Sequence, residues 1–412
     1  MLRLAVLSVL CLLPATFGPL AAQPRRLLVI SIDGLDHRYL RDADRLGLRT
    51  PTLRRLVKEG ALAEGVVGIV PTVTWPSHTT MITGVPAARH GILTNDQPGQ
   101  PGQRWWYTRF LKARTLWQAA REKKLKTAAV YWPVTVGAEV DFNIPEFWLK
   151  REGHSTPLGP IEPYVTPGLI ERITRVFPSF AVWSFSDRPI LLATRYLLER
   201  EKPDLMLVHI ADLDGEQHET GAFSRHARAV LEYQDELLAG TLEALPANTI
   251  VAIVSDHGFE STDRVYRPRA ALVEAGLAPE AAVRDGLIGA ASSGAATHFR
   301  SLIGKGVIAR EVPMEEVRRL APELASWTAA FETIANTMLS ASDGPPLAKG
   351  DGHGVHGLWP TRGDYRASFL LWGPGVKPRR LPQISMLDEA PTFADILEVS
   401  LPGVEGRSLW PR

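Results

Sequence analysis

Four short stretches of this 412-residue chain hold carboxylates and imidazoles at spacings that suit divalent cations. In SIDGLD, Asp33 closes an apolar run. In DGEQHETG, Asp214 and His218 stand at i and i+4, one turn apart if the segment is helical. SDHG sets Asp256 beside His257, and adjacent loop residues can point to two neighbouring ions. GDGHGVHGLWP offers His353 and His356 among glycines that let the backbone bend an imidazole into a site. Singly, these are a helix cap, a chance pair, a buried Asp–His hydrogen bond and a turn. Jointly they supply three carboxylates and three imidazoles, enough for two tetrahedral sites that each keep a position for substrate or nucleophile. Two such ions can clamp both the attacking and the leaving oxygen of a phosphoryl group.

A nucleophile for that chemistry lies in GIVPTVTWPSHTTMITG, residues 68–84. A hydroxyl between a strand and a helix would face the strand ends, and the helix N-terminus would favour an anion there. Metal coordination would lower the hydroxyl pKa without a separate general base. Thr72, Thr74 and Ser77 all qualify by type, and residue chemistry does not choose among them.

The elements that must position these groups follow a regular pattern. Apolar runs at 25–33, 125–132, 204–212 and 249–257 each end in polar residues, as buried parallel strands do. Helical stretches separate them: 51–60, TLWQAAREKKL, ILLATRYLLEREK and HARAVLEYQDELLAGTLEAL. A further strand is expected in YRASFLLWGPG (365–375), then a helix around Asp388 to Leu397. Strands alternating with helices predict an α/β fold, a mostly parallel sheet covered on both faces. Ligands of such sheets gather at the carboxyl ends of the strands, where Asp33, Asp214, Asp256 and His257 fall. The stretch from about 96 to 190, rich in proline, glycine and aromatics, reads in part as an insertion over that face. A second irregular stretch, about 260–350, reads as a smaller subdomain.

Composition narrows the partners. A net charge of +1 gives no reason to expect nucleic acid or an acidic surface. Arg3, the short apolar run Leu4 to Leu13 and the small residues Ala21 and Ala22 read as a signal peptide over residues 1–22. Export to a periplasm or the extracellular space is therefore expected. An uncleaved N-terminal anchor is the competing reading, although the run is short for a bilayer. Cys11, the only cysteine, lies in that segment, so the remainder has no thiolate chemistry and any metal must be held by His, Asp, Glu or a hydroxyl.

The motifs, in order, are SIDG, TWPSH, HGILTN, DGEQHETG, SDHG and GVHG. This series resembles the type I phosphodiesterase/nucleotide pyrophosphatase family of the alkaline phosphatase superfamily. The resemblance runs from about residue 27 to the C-terminus, where PTFADILEVSLPGVEGRSL is similar to the family's closing helix and loop. It implies an alkaline-phosphatase-like fold and two zinc ions. One ion would be held by Asp33, Asp256 and His257 with Thr74, the other by Asp214, His218 and His356. It further implies that Thr74 is the nucleophile, passing through a phospho-threonine intermediate, and that Asn95 donates to a phosphate oxygen. His353 falls outside the ligand pattern, and His78 and His90 belong to the motifs without a ligand role.

Two departures bear on substrate. Val73-Thr74-Trp75 stands where nucleotide-acting members often have Lys-Thr-Phe, and Ser77 replaces a frequent Asn. Trp75 is a candidate to stack a flat group of the substrate or to pack under the insertion. The expected activity is hydrolysis of phosphodiester or pyrophosphate bonds in a small molecule. A phosphomonoesterase or phosphonate hydrolase on the same site is the alternative, and a secreted binding protein without turnover is the non-enzymatic one. A sulfatase is disfavoured because its activation motif is missing at the nucleophile, and a metal-independent phosphoglycerate mutase because its nucleophile is serine.

Overall fold

The computed structural model describes residues 25–151, 154–156, 161–180 and 186–411, so the expected signal segment lies outside the described residues. Its centre is an eight-stranded sheet. In chain order the strands and flanking helices are β1 (Arg26–Ile32), α1 (Pro51–Glu59), β2 (Ala61–Ala63), α2 (Thr74–Thr83), α3 (Leu116–Glu122), β3 (Thr127–Val130) and β4 (Phe142–Ile144). They continue with α4 (Asp187–Tyr196), β5 (Leu205–Ile210), α5 (Asp212–Thr220), α6 (Arg225–Leu242), β6 (Thr249–Val254), β7 (Phe369–Trp372), β8 (Arg379–Leu381) and α7 (Glu389–Leu397). The spatial order is β8-β2-β7-β6-β1-β5-β3-β4. Only β7 runs against the rest, pairing antiparallel with both β6 and β2. The mostly parallel, alkaline-phosphatase-like α/β sheet expected from the sequence is the fold observed.

Alternation along the strands sorts side chains to two faces. Leu28, Ile30, Met206, Val208, Val251 and Ile253 pack with Leu53 and Leu56 of α1, Ile190 of α4 and Leu231 of α6. Leu27, Val29, Leu205, Leu207, Ile250 and Ala252 pack with Ile82 of α2, Trp117 of α3 and Phe393 of α7. Each fully buried aliphatic of this kind contributes about 1.5–3 kcal/mol. The central strands are therefore the rigid part of the molecule, and residues just past their ends inherit that rigidity.

Within the stretch from about 96 to 190, β3, the strand expected at 125–132, and β4 pair in the central sheet. The remainder carries an aromatic cluster, in which Trp106 meets Phe147 at 5.3 Å and Phe147 meets Tyr164 at 5.0 Å. The stretch read as irregular contains a second, antiparallel sheet of Ala281–Arg284, Leu287–Ala290, Ile308–Val312 and Ala329–Thr333. Its strands are short and pair out of chain order, which leaves little periodicity to read. Arg362 ties this unit to the loop after β6. Buried at 2% exposure, it meets both oxygens of Glu260 at 3.0 Å and donates to the carbonyls of Thr333 and Ile334. Among the described residues no helix is long and apolar enough to cross a membrane.

Candidate active site

Asp33 lies one residue past β1, where its N–H bonds the carbonyl of Ile210 at 2.9 Å. Gly34 then turns the chain with φ +67°, and a Cβ there would stand 2.9 Å from the Phe259 ring. The turn lets the Gly34 N–H reach Oδ1 of Asp256 at 3.1 Å, linking the ends of β1 and β6. Asp214 and His218 sit on α5, as their spacing predicts, with Asp214 Oδ2 3.6 Å from His218 Nε2. The glycine loop reaches this helix closely: a Cβ on Gly354 would stand 2.2 Å from the Gln217 carbonyl.

Three imidazoles are oriented alike. His218 Nδ1 faces the Gly354 carbonyl at 3.0 Å, His257 Nδ1 the Gly258 carbonyl at 3.2 Å, and His356 Nδ1 the Thr72 carbonyl at 3.4 Å. A carbonyl only accepts, so each Nδ1 carries a hydrogen, and Nε2 is the nitrogen left to hold either a second proton or a cation. Those Nε2 atoms turn toward carboxylates. His257 Nε2 lies 3.0 Å from Asp256 Oδ2, 3.4 Å from Asp33 Oδ1 and 4.0 Å from Asp214 Oδ1. His356 Nε2 lies 3.8 Å from Asp214 Oδ1, and its ring stacks on His257 at 3.7 Å.

Where Nε2 faces carboxylate oxygens, a proton or a cation must lie between them. Among the described residues, Asp33 Oδ1, Asp214 Oδ1, Asp256 Oδ2 and His257 Nε2 are buried without a hydrogen-bond partner. Two groups have ligand atoms within 4.8 Å of one another: Asp214, His218 and His356, and Asp33, Asp214 and His257. Donor type, tautomer and unsatisfied atoms all fit divalent cations. Asp214 belongs to both groups, and Asp256 touches the second through His257.

The electrostatics agree. Burial, then the charges of Asp256 and Asp214, push Asp33 well above the usual carboxylate range. Burial also opposes ionisation of Asp256, but His257 outweighs it and holds that carboxyl low. His257 itself is lowered by burial, yet Asp256, Asp33 and Asp214 carry it up to about 9. A bound cation must displace that proton. Affinity for a divalent cation is therefore expected to fall about tenfold for each pH unit below 9, measured by chelator competition. A flat profile from pH 6 to 9 would rule out His257 as a ligand. Without metal the sign reverses: the charged His257 stabilises the fold fully below about pH 6.5, and that contribution is lost as pH rises through about 9.

All three candidate hydroxyls are buried, Thr74 at 6% exposure the least so. Thr72 donates to the Leu358 carbonyl at 2.6 Å and accepts from Tyr365 at 3.1 Å, so its hydroxyl is committed. Ser77 is fully buried. Thr74 opens α2, where no side chain caps the helix. His78 holds the Thr74 carbonyl through Nδ1 at 2.8 Å and meets Ser31 through Nε2 at 2.9 Å. Asn95 accepts from the Trp75 N–H at 3.0 Å, which fixes its amide orientation and leaves its NH₂ to donate. Trp75 is 4% exposed, with the Arg104 guanidinium 4.9 Å over its ring and Trp106 against its edge.

A sequence model of the type I phosphodiesterase / nucleotide pyrophosphatase family matches residues 27–333. The chain belongs to that family. Curated relatives include the venom phosphodiesterase of Macrovipera lebetinus, 24% identical over 254 residues, covering 57% of this chain and 25% of the relative. The bis(5'-adenosyl)-triphosphatase of Bos taurus is 27% identical over 266 residues, covering 60% of this chain and 50% of the relative. The chain thus spans a quarter to a half of the length of these relatives. Among solved structures, murine ectonucleotide pyrophosphatase / phosphodiesterase 5, in an inactive form with AMP, superposes with TM-score 0.61. It is 17% identical and covers 93% of this chain and 97% of that one, a likeness of fold.

Within this type I phosphodiesterase fold, other residues near the site take supporting positions. Asp212 accepts from the Asp187 N–H at 3.1 Å, while Asp187 accepts from Ala211 and Asp212, so the N-termini of α4 and α5 cap each other. Burial and Asp187 push Asp212 up to about 7. The His353 side chain is 54% exposed, beside Asp351. His90 meets the Thr80 hydroxyl at 3.1 Å and accepts from Ile92 N–H, steadying the turn before Asn95. Sequence reasoning missed His209 and Glu146. His209 meets Asp33 at 3.0 Å and Glu146 at 3.3 Å. Burial alone would lower the His209 pKa, but the bonds to Asp33 and Glu146 hold it well above its usual value. The available signal was one ionisable residue in an otherwise apolar strand.

Proposed function

We propose that this chain is an exported two-zinc hydrolase that cleaves phosphodiester or pyrophosphate bonds of small molecules, with Thr74 as nucleophile. The observation that carries the reading is the common orientation of three imidazoles. Each spends Nδ1 on a backbone carbonyl and turns Nε2 toward buried carboxylates with unsatisfied oxygens. Asp33, Asp256 and His257 with Thr74 would hold one zinc, and Asp214, His218 and His356 the other. Bound there, the ions would make the hydroxyl a better nucleophile and neutralise charge gathering on the phosphoryl oxygens.

The chain's own groups supply the rest. The Thr74 hydroxyl attacks phosphorus in line, the bond to the leaving oxygen breaks, and a phospho-threonine forms. Water then cleaves the phospho-threonine and returns the hydroxyl. The open N-terminus of α2 offers a favourable field to the anion, and the Asn95 NH₂ donates to a non-bridging oxygen. His78 holds the backbone of Thr74 in place. Trp75 acts through its N–H to Asn95 and by supporting Arg104, since its ring is buried with that guanidinium over it.

The relatives' names, phosphodiesterase and bis(5'-adenosyl)-triphosphatase, support diester and pyrophosphate chemistry, as does the AMP in the murine structure. Venom and ectonucleotide relatives support export. The deciding experiment is a zinc-supplemented panel of dinucleotides, nucleoside triphosphates, glycerophosphodiesters, phosphonate esters and simple monoesters. Diesters or pyrophosphates should give the highest kcat/KM. Monoesters or phosphonates at the head of the ranking would overturn the reading.

A further inference from the structure

The two oxygens of Asp33 meet different surroundings. Oδ1 faces His257 and has no hydrogen-bond partner, whereas Oδ2 accepts from His209 Nε2 at 3.0 Å. The other nitrogen, His209 Nδ1, lies 3.3 Å from both Glu146 Oε2 and the Tyr131 carbonyl. Both ring nitrogens thus face acceptors, and His209 donates in two directions. The side chains of Asp33, His209 and Glu146 are 4%, 3% and 8% exposed.

The sheet does not need this arrangement. Position 209 stands opposite Ser31 in the β1–β5 register, on a face otherwise filled by Leu205 and Leu207. A buried chain of ionisable groups costs desolvation that an apolar residue would avoid, so it is a poor device for stability alone. It is a good device for orientation. The bond to Oδ2 fixes the carboxylate plane so that the unpartnered Oδ1 is the oxygen turned toward His257. Glu146 comes from the segment after β4, and its neighbour Phe147 packs in the aromatic cluster with Trp106 and Tyr164. The same chain of contacts therefore fixes that aromatic wall relative to Asp33.

We propose that His209 and Glu146 are positioning residues for metal binding, holding Asp33 in single-oxygen presentation and anchoring the aromatic segment to the metal centre. This rests on the reading of Asp33 as a zinc ligand. The test compares zinc affinity, by chelator competition, and the visible spectrum of the cobalt form in wild type, His209→Leu, His209→Gln and Glu146→Gln. His209→Leu should weaken one of two zinc sites about 10–100-fold and alter the cobalt spectrum. His209→Gln, which can still donate to Asp33, should recover part of the loss. If His209→Leu folds poorly, Glu146→Gln, of equal volume, carries the same comparison. Wild-type zinc affinity and cobalt spectra in both His209→Leu and Glu146→Gln would overturn the inference while leaving Asp33 a ligand. A wild type that binds no zinc would remove the underlying reading, and the inference with it.

Discussion

Thr74→Ala is expected to lower kcat by about four to six orders of magnitude, the loss typical of removing a nucleophile, while zinc content stays at the wild-type level. No neighbour can take over. The Thr72 hydroxyl is committed between Leu358 and Tyr365, and Ser77, one turn into α2, is fully buried. Thr74→Ser keeps an oxygen at the start of α2 and should retain measurable turnover, with the phosphate trapped on the new residue in rapid-quench samples. Metal analysis and steady-state kinetics on the same preparations separate loss of the nucleophile from loss of the ions. Turnover near wild type in Thr74→Ala would discard the proposed intermediate.

The second large effect is expected at Asp214. Its Oδ2 faces His218 and its Oδ1 faces both His257 and His356, so one carboxylate lies between the two ligand groups. Asp214→Asn should therefore reduce bound zinc from two ions to about one and kcat/KM by at least about three orders of magnitude. It should also reduce the zinc-dependent rise in Tm, since each ligand at a thousand times its Kd stabilises by about 4 kcal/mol. Asp212→Asn is the control, because Asp212 caps α4 instead. Two ions retained in Asp214→Asn would show that Asp214 is not a ligand.

What the sequence made legible was local. The apolar runs of β1, β5 and β6 announced buried parallel strands, and Asp33 and Asp256 followed directly from their ends. Asp214 and His218 were readable because four residues make one helical turn. Other features depend on contacts between distant residues. Choosing Thr74 over Thr72 on physical grounds needs the bond to Leu358, 286 positions away. The Glu146–His209 pair spans 63 positions, and neither member carries a motif. Whether Trp75 stacks a ligand or packs within the chain turns on Arg104, 29 residues on, which lies over its ring. The reversal of β7 and the second antiparallel sheet arise from pairing choices that short strands do not encode.

The site is also graded in exposure. The side chains of Asp256 and His257 are fully buried, those of His356 and Asp214 are 12% and 18% exposed, and that of His218 is 41% exposed. The proposed ions would then differ in how fast they exchange. A chelator meets the His218 side first, so stripping should pass through a long-lived one-ion form with the inner position filled. Reloading should run the other way, the inner position waiting on passage through the outer one. Incubation time, as well as metal concentration, would then decide how much active protein a preparation contains.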